Sequence, residues 1–147
     1  MTQTRTRRHV CFASIIEGDL TTPQRARCEA AFFQKLAASH IDISMLAVND
    51  VGCVFAIDEF DLHVLREAVQ RLNVALNIHK RCARLSLSRP SAGPPYPPVS
   101  CIIAAMADAG ISIIHLAAGP NDLAILVEER DATRAQAVLA NSASRAA

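Results

Sequence analysis

Apolar positions along this chain switch between a strand period and a helix period, and the switches run twice in the same order. Arg8 to Ile16 is rich in apolar and β-branched residues and predicts a strand. Glu17-Gly18-Asp19-Leu20 predicts a turn, and Thr22-Pro23 an N-cap followed by proline at the first helical position, where a missing N–H does no harm. The helix runs to about Ser39, with Cys28, Ala31, Phe32, Lys35 and Leu36 at helical spacing. Ile41, Ile43, Met45 and Ala47 then alternate with Asp42, Ser44 and Leu46, which is a strand period. The turn Asn49-Asp50-Val51-Gly52 leads into a strand from Cys53 to Ile57, and so short a link predicts an antiparallel hairpin. A helix from Asp61 to about Leu72 places Leu62, Leu65, Val69 and Leu72 on one face, and Val74 to Ile78 is a further strand. The first half thus reads β-α-β-β-α-β.

The second half restarts the pattern. Ala83 to Ser88 is a strand, Pro90 to Pro98 a proline-dense loop, and Val99 to Ala109 a helix. Strands follow at Ile111 to Ala117 and Leu123 to Val127, then a helix from Asp131 to Asn141 and a frayed tail from Ser142 to Ala147. The stretch Leu36 to Asp61 lies over Met106 to Asp131 without a gap. Ile41, Ile43, Leu46, Ala47, Glu59 and Asp61 fall on Ile111, Ile113, Leu116, Ala117, Glu129 and Asp131. The reading is an α+β chain of two ferredoxin-like domains in tandem, residues 8–80 and 81–142, the second lacking its own last strand. Copies this small are near the lower limit for a single core. An uncovered sheet edge is a liability, so that edge is expected to be closed by a strand from the first half or from a second chain, in a homodimer.

Composition narrows the function classes. A formal charge of +1 gives no basic stripe for nucleic acid. The cluster Arg5, Arg7, Arg8 and His9 reads as a solvated tail running into a strand. No apolar run reaches the roughly 18 residues of a membrane span, and no apolar segment follows the polar start as in a signal peptide. The five cysteines, Cys11, Cys28, Cys53, Cys82 and Cys101, are odd in number, widely spaced and free of C-x-x-C. Cys11, Cys53 and Cys101 have apolar neighbours, so buried reduced thiols in a cytoplasmic protein are expected.

No catalytic constellation assembles in the sequence. His9, His40, His63, His79 and His115 lie on separate elements, and His40 and His115 read as packed or half-exposed. His79 and Cys82 lack a third ligand for zinc. Asp58, Glu59 and Asp61, like Glu128, Glu129 and Asp131, sit at strand-to-helix junctions, where acids favour the N-cap and the first turn. A non-catalytic protein without metal or cofactor is expected.

The segment MADAGISIIHLAAGPNDLAILVEERDATRAQAVL resembles the ACT domain at the C-terminal end of aspartate kinases. The shared pattern is a helix ending in small residues and Gly, an Ile-x-Ile strand, a turn, a strand ending in an acidic pair, and a helix opening at Asp. Leu36 to Leu72 shows it more weakly, with His40 in place of Gly. The resemblance covers about residues 10 to 141 and includes no kinase catalytic portion. It implies a regulatory module that binds a small molecule, usually an amino acid, at an interface between ACT domains, and an enzyme that the module regulates. It also implies strands partly shared between the two domains, which would complete the second copy.

In that family the ligand lies against the turn after the first strand, the start of the first helix and the polar edge of the second strand. The matching residues here are Asp19, Leu20, Thr21 and Thr22, with Ser44, Asn49 and Asp50 on the second strand. Free N–H groups at a helix start suit a carboxylate. Asp19 and Asp50 suit an ammonium group. The second copy offers Ile114, Gly119 and Pro120 at those strand positions, so the first copy is the expected site. Both copies depart from the family's Pro-Gly at the first helix, with Pro23-Gln24 and Tyr96-Pro97. A degenerate ACT pair serving only protein interaction is therefore the alternative.

Overall fold

The computed structural model of the protein describes residues 3–17, 21–72, 74–88, 97–120 and 122–145. These form β1 (Gln3–Glu17), α1 (Thr22–Ala38), β2 (Ile43–Asn49), β3 (Gly52–Asp58), α2 (Leu62–Val69) and β4 (Val74–Ser88). They continue as α3 (Val99–Asp108), β5 (Ile113–Ala118), β6 (Asp122–Glu128) and α4 (Ala132–Arg145). Short 3-10 turns, Glu59–Asp61 and Glu129–Asp131, introduce α2 and α4. The class is α+β, with two ferredoxin-like units in tandem. The chain divides into His9–Lys80 and a discontinuous unit, Met1–Arg8 with Arg81–Ala147.

The first unit holds its strands in the order β2-β3-β1-β4. β3 runs antiparallel to both β1 and β2. Alternation decides which side chains face the helices. Cys11, Ala13 and Ile15 of β1 and Cys53, Phe55 and Ile57 of β3 are buried against Phe32 and Leu36 of α1 and Leu62, Leu65 and Val69 of α2. The Phe32 ring lies 5.9 Å from Phe55 and 5.1 Å, edge to face, from Phe33. Gly52 faces Ile16 across the β1–β3 ladder, and a Cβ there would run into the Ile15 carbonyl oxygen. The N-cap of α1 is Thr21 rather than Thr22, so Pro23 stands at the second helical position. α2 is shorter than the sequence pattern predicts, ending at Val69, where the Leu72 N–H bonds the Val69 carbonyl.

The second unit has the strand order β1-β4-β6-β5 and its own core. Ala83, Leu85 and Leu87 meet Leu123, Ile125 and Val127 beneath Ile102 and Met106 of α3 and Ala135 and Leu139 of α4. Its fourth strand is the start of the chain. Residues 3–8 of β1 belong to this unit, whereas the sequence pattern predicted a solvated tail there. The Thr6 hydroxyl donates to Gln136 Oε1 at 3.0 Å. Arg8 donates from Nη1 to the Glu129 carbonyl at 3.2 Å and from Nη2 to Thr133 Oγ1 at 3.1 Å. β4 is likewise one continuous strand where two were predicted, Val74 to Ile78 and Ala83 to Ser88. α4 runs on to Arg145 through the predicted frayed tail, with Ser142 and Ser144 hydroxyls donating to the Val138 and Ala140 carbonyls.

Each long strand therefore serves both units, first strand in one and last in the other. The registers Val10↔Asp58 and Cys82↔Glu128 show that His9 and Arg81 occupy equivalent positions. Both hold left-handed backbone, φ 56° and 57°, at the residue where the strand passes from one unit into the other. Neither is glycine, so surrounding pairing must hold a conformation that costs roughly 1–2 kcal/mol.

The helix ends show the repeat at the atomic level. α3 closes on Gly110 at φ 67°, with the Gly110 N–H on the Ala107 carbonyl and the Ile111 N–H on the Met106 carbonyl, each 2.9 Å. α1 closes the same way on His40 at φ 55°, with bonds from His40 to Ala37 and from Ile41 to Leu36. A glycine at this position avoids the Cβ penalty of left-handed backbone. His40→Gly is expected to stabilise the protein by roughly 0.5–1 kcal/mol, and Gly110→Ala to cost about 1 kcal/mol. Urea unfolding of the two variants reads both signs.

Removing residues 1–8 should leave one side of β4 unpaired in the second unit, with β6 still on the other. Amide exchange at residues 81–88 should then lose protection while β3 keeps its own. Arg8→Ala alone should cost about 1 kcal/mol, the net scale of such hydrogen bonds.

Candidate functional site

The pairing Ile16↔Gly52 brings the end of β1 beside the β2–β3 turn. The start of α1 and residues 49–52 therefore share one end of the first unit. Gly18, Asp19 and Leu20 lie outside the described residues. Thr21, the N-cap, donates from both its backbone N–H and its hydroxyl to Gln24 Oε1, each at 2.9 Å. Its side chain is thus occupied in the capping box. Thr22 opens the helix.

Asn49 is also in use. Its Oδ1 accepts from the Val51 N–H at 2.9 Å and the Gly52 N–H at 3.2 Å, which fixes the hairpin turn. Asp50 is exposed beside it and makes no hydrogen bond or ion pair among the described residues. Ser44 sits far from this group. It pairs with Ala56 near the other end of β2, and five residues of extended chain separate it from Asn49 by roughly 15 Å. A β-bulge between Ser44 and Ala47, with Met45 at φ 56°, lies between them. One amino acid cannot touch both Ser44 and Asp50 at that span.

A shallow depression in the first unit was not legible as a site in the sequence. It has a volume of about 470 Å³ and is lined by Phe12, Ser14, Asn77, Ile78, His79 and Lys80. The signal was the alternation of β4. Val74, Leu76 and Ile78 pack on the core, which turns Asn77 and His79 to the opposite sheet face.

All five cysteines are free. Cys11, Cys53 and Cys82 are buried, Cys28 is half-buried, and Cys101, expected to be buried, is exposed on α3. Burial pushes the Cys11 thiol above its ordinary range and the Glu59 charge adds to this, with Lys80 and Arg66 opposing. Cys11 is therefore a neutral packing group and a poor nucleophile. Asp61 holds the N-cap position of α2 without a capping bond from its side chain, and Asp131 Oδ1 instead accepts from Arg134 at 2.7 Å. His40 is exposed as a helix cap, and His115 is half-buried on β5. Among the described residues no three His, Cys, Asp or Glu side chains group as metal ligands. No described helix is long and apolar enough to cross a membrane.

The topology is two ferredoxin-like units in tandem, the fold seen in regulatory domains of aspartate kinases. The chain is similar in structure to a C-terminal regulatory domain assigned to aspartate kinase from Porphyromonas gingivalis W83, at 15% identity and a TM-score of 0.77, over 97% of each chain. It is also similar to the ligand-free regulatory subunit of aspartate kinase from Thermus thermophilus, at 16% identity and TM-score 0.74, over 95% of each chain. Against E. coli aspartokinase III in complex with lysine and aspartate, 97% of this chain matches 32% of that one, at 14% identity and TM-score 0.64. No protein-family model matches the sequence, and neither does any curated protein.

The local role of Asn49 is testable. Asn49→Ala should destabilise the fold by about 1 kcal/mol, because two turn N–H groups lose their acceptor. Asp50→Ala should leave the melting temperature unchanged. Thermal unfolding of both variants separates the turn former from its exposed neighbour.

Proposed function

We propose that this chain is a non-catalytic regulatory module that binds a free amino acid and passes the signal to an enzyme. The observation that carries the reading is the match, over nearly the whole chain, to isolated regulatory domains and subunits of aspartate kinase. One such enzyme carries lysine and aspartate in its complex.

The site in this reading is the end of the first unit, where the N-terminus of α1 meets the β2–β3 turn. Asp19 and Asp50 are the ammonium partners. The N–H groups of the turn before α1 and the helix dipole favour the carboxylate. Of Thr21 and Thr22, Thr22 contributes through its backbone N–H, because the Thr21 N–H and hydroxyl are both taken by Gln24. Of the strand residues, Asn49 and Asp50 sit at this end and Ser44 does not.

Thermal shift against the common amino acids is the first test. A ligand present at about 100 times its dissociation constant should add roughly 2.7 kcal/mol of stability. Calorimetric titration of the active amino acid should then weaken by roughly 1.5–3 kcal/mol in Asp50→Ala, the scale of a hydrogen bond to a charge. A change beside the corresponding turn of the second unit, Asp122→Ala, should leave affinity intact. Equal losses would move the site away from the first unit. No shift with any amino acid would favour the second reading, a degenerate pair that acts only through protein contacts. The use of Thr21 and Asn49 in local bonds supports that alternative.

A further inference from the structure

The two long strands gather arginines that amino-acid binding leaves unused. In the second unit Ala83, Leu85 and Leu87 of β4 face the core, so Arg84 and Ser86 face the side of the sheet away from the helices. Thr6 and Arg8 of β1 reach Gln136 and Thr133 on α4, so alternation turns Arg5 and Arg7 the same way as Arg84. β1 and β4 are neighbours in the sheet, which brings Arg5, Arg7, Arg84 and Ser86 onto two adjacent strands of one face.

Arg84 is the unusual member. It is half-buried, and its Nε is shut off from solvent without a hydrogen-bond partner. Neither Arg84 nor Arg5 makes a side-chain hydrogen bond or ion pair among the described residues. A guanidinium drawn partly out of water normally meets an acid or a carbonyl, because otherwise it gives up hydration without compensation.

The repeat shows that the fold does not require a cation there. Arg84, opposite Leu126, stands where Phe12, opposite Ala56, stands in the first unit. Ser86 matches Ser14 in the same way, opposite Ala124 and Val54. Arg5 and Arg7, four and two residues before His9, match Asn77 and His79, four and two residues before Arg81. In the first unit Phe12, Ser14, Asn77 and His79 line one depression of about 470 Å³, the size of a small-molecule site. The second unit carries three guanidinium groups and a hydroxyl at those four places.

We infer that this face of the second unit binds a small oxyanion carrying two or more negative charges, held by Arg84 and Arg5 with Ser86 between them. A guanidinium fork donates two parallel N–H bonds to a phosphate or carboxylate, and the Ser86 hydroxyl adds a third kind of donor. Two cations without acids of their own suit an anion of at least two charges. The acids of the same face set its limits. Glu128 lies opposite Cys82 and Asp122 opposite Ser88, so acids bracket the Arg84–Ser86 stretch at both ends. A compact anion fits between them, whereas an extended polyanion would have to run across a carboxylate. The inference stands apart from amino-acid binding, which belongs to the first unit.

Calorimetric titration at low ionic strength tests it, with pyrophosphate and citrate as probes. Binding of either is expected, and the tighter of the two tells a phosphate-bearing ligand from a polycarboxylate. Arg84→Met keeps the stem and removes the charge. It should weaken the anion roughly 10-fold or more, the scale of hydrogen bonds to a charged group. Its melting temperature should stay level or rise, because no bond within the fold is lost. Arg5→Met should also weaken binding. Arg71→Met, an equal charge change on an exposed residue of the first unit, should leave affinity unchanged, as should Asp50→Ala. Four results would each overturn the assignment: no binding of either anion, equal losses in Arg84→Met and Arg71→Met, binding of a short oligonucleotide but not of pyrophosphate or citrate, or a lowered melting temperature in Arg84→Met with affinity intact.

Discussion

Everything in this protein depends on how a four-stranded sheet is completed. A β-α-β-β-α-β unit needs a strand on the free side of its first strand, or that strand's backbone groups stay unpaired. Here β1 and β4 each run for 15 residues and divide their length between the two units. Each unit takes its first strand from one of them and its last from the other. The Arg8 and Thr6 contacts with the 3-10 turn and α4 fasten the borrowed strand to the second core. The first unit is one continuous stretch, His9–Lys80, whereas the second is assembled from two, although each has its own core.

The crossing points carry a matching conformation. His9 and Arg81 are the equivalent residues at which each long strand changes unit, and both have left-handed backbone. Local preference would place glycine or asparagine there. Pairing on both sides overrides that preference. The contrast between His40 and Gly110 makes the same point at the helix ends, where one geometry is held by a favourable residue in one copy and an unfavourable one in the other.

The two copies have diverged on the surface while keeping their cores. The end of the first unit holds a capped helix start and a tight hairpin turn whose Asp50 is exposed and makes no hydrogen bond or ion pair among the described residues. Residues 90–121 of the second copy carry one charged residue where residues 20–51 of the first carry six, although neither edge strand, β2 nor β5, carries any. This surface asymmetry lies within a fold shared with regulatory domains of aspartate kinase.

Periodicity alone determined the α+β class, the tandem repeat, every helix and the two hairpins, because those elements are written in local apolar spacing. Ile43 and Ile113 lie where strand alternation put them, and Leu65 and Leu139 lie where helical spacing put them. Only the tertiary structure decided that residues 3–8 complete the second unit, because a polar, arginine-rich segment has no period of its own and is held by its neighbours. It also decided that β4 is one strand, since the polar run His79-Lys80-Arg81 looks like a break until pairing carries the strand through the left-handed residue Arg81. The separation of Ser44 from Asp50, and the prior use of Thr21 and Asn49 in a cap and a turn, were likewise invisible in sequence. A sequence shows which polar groups are present. Whether they are free to bind depends on which hydrogen bonds the fold has already asked them to make.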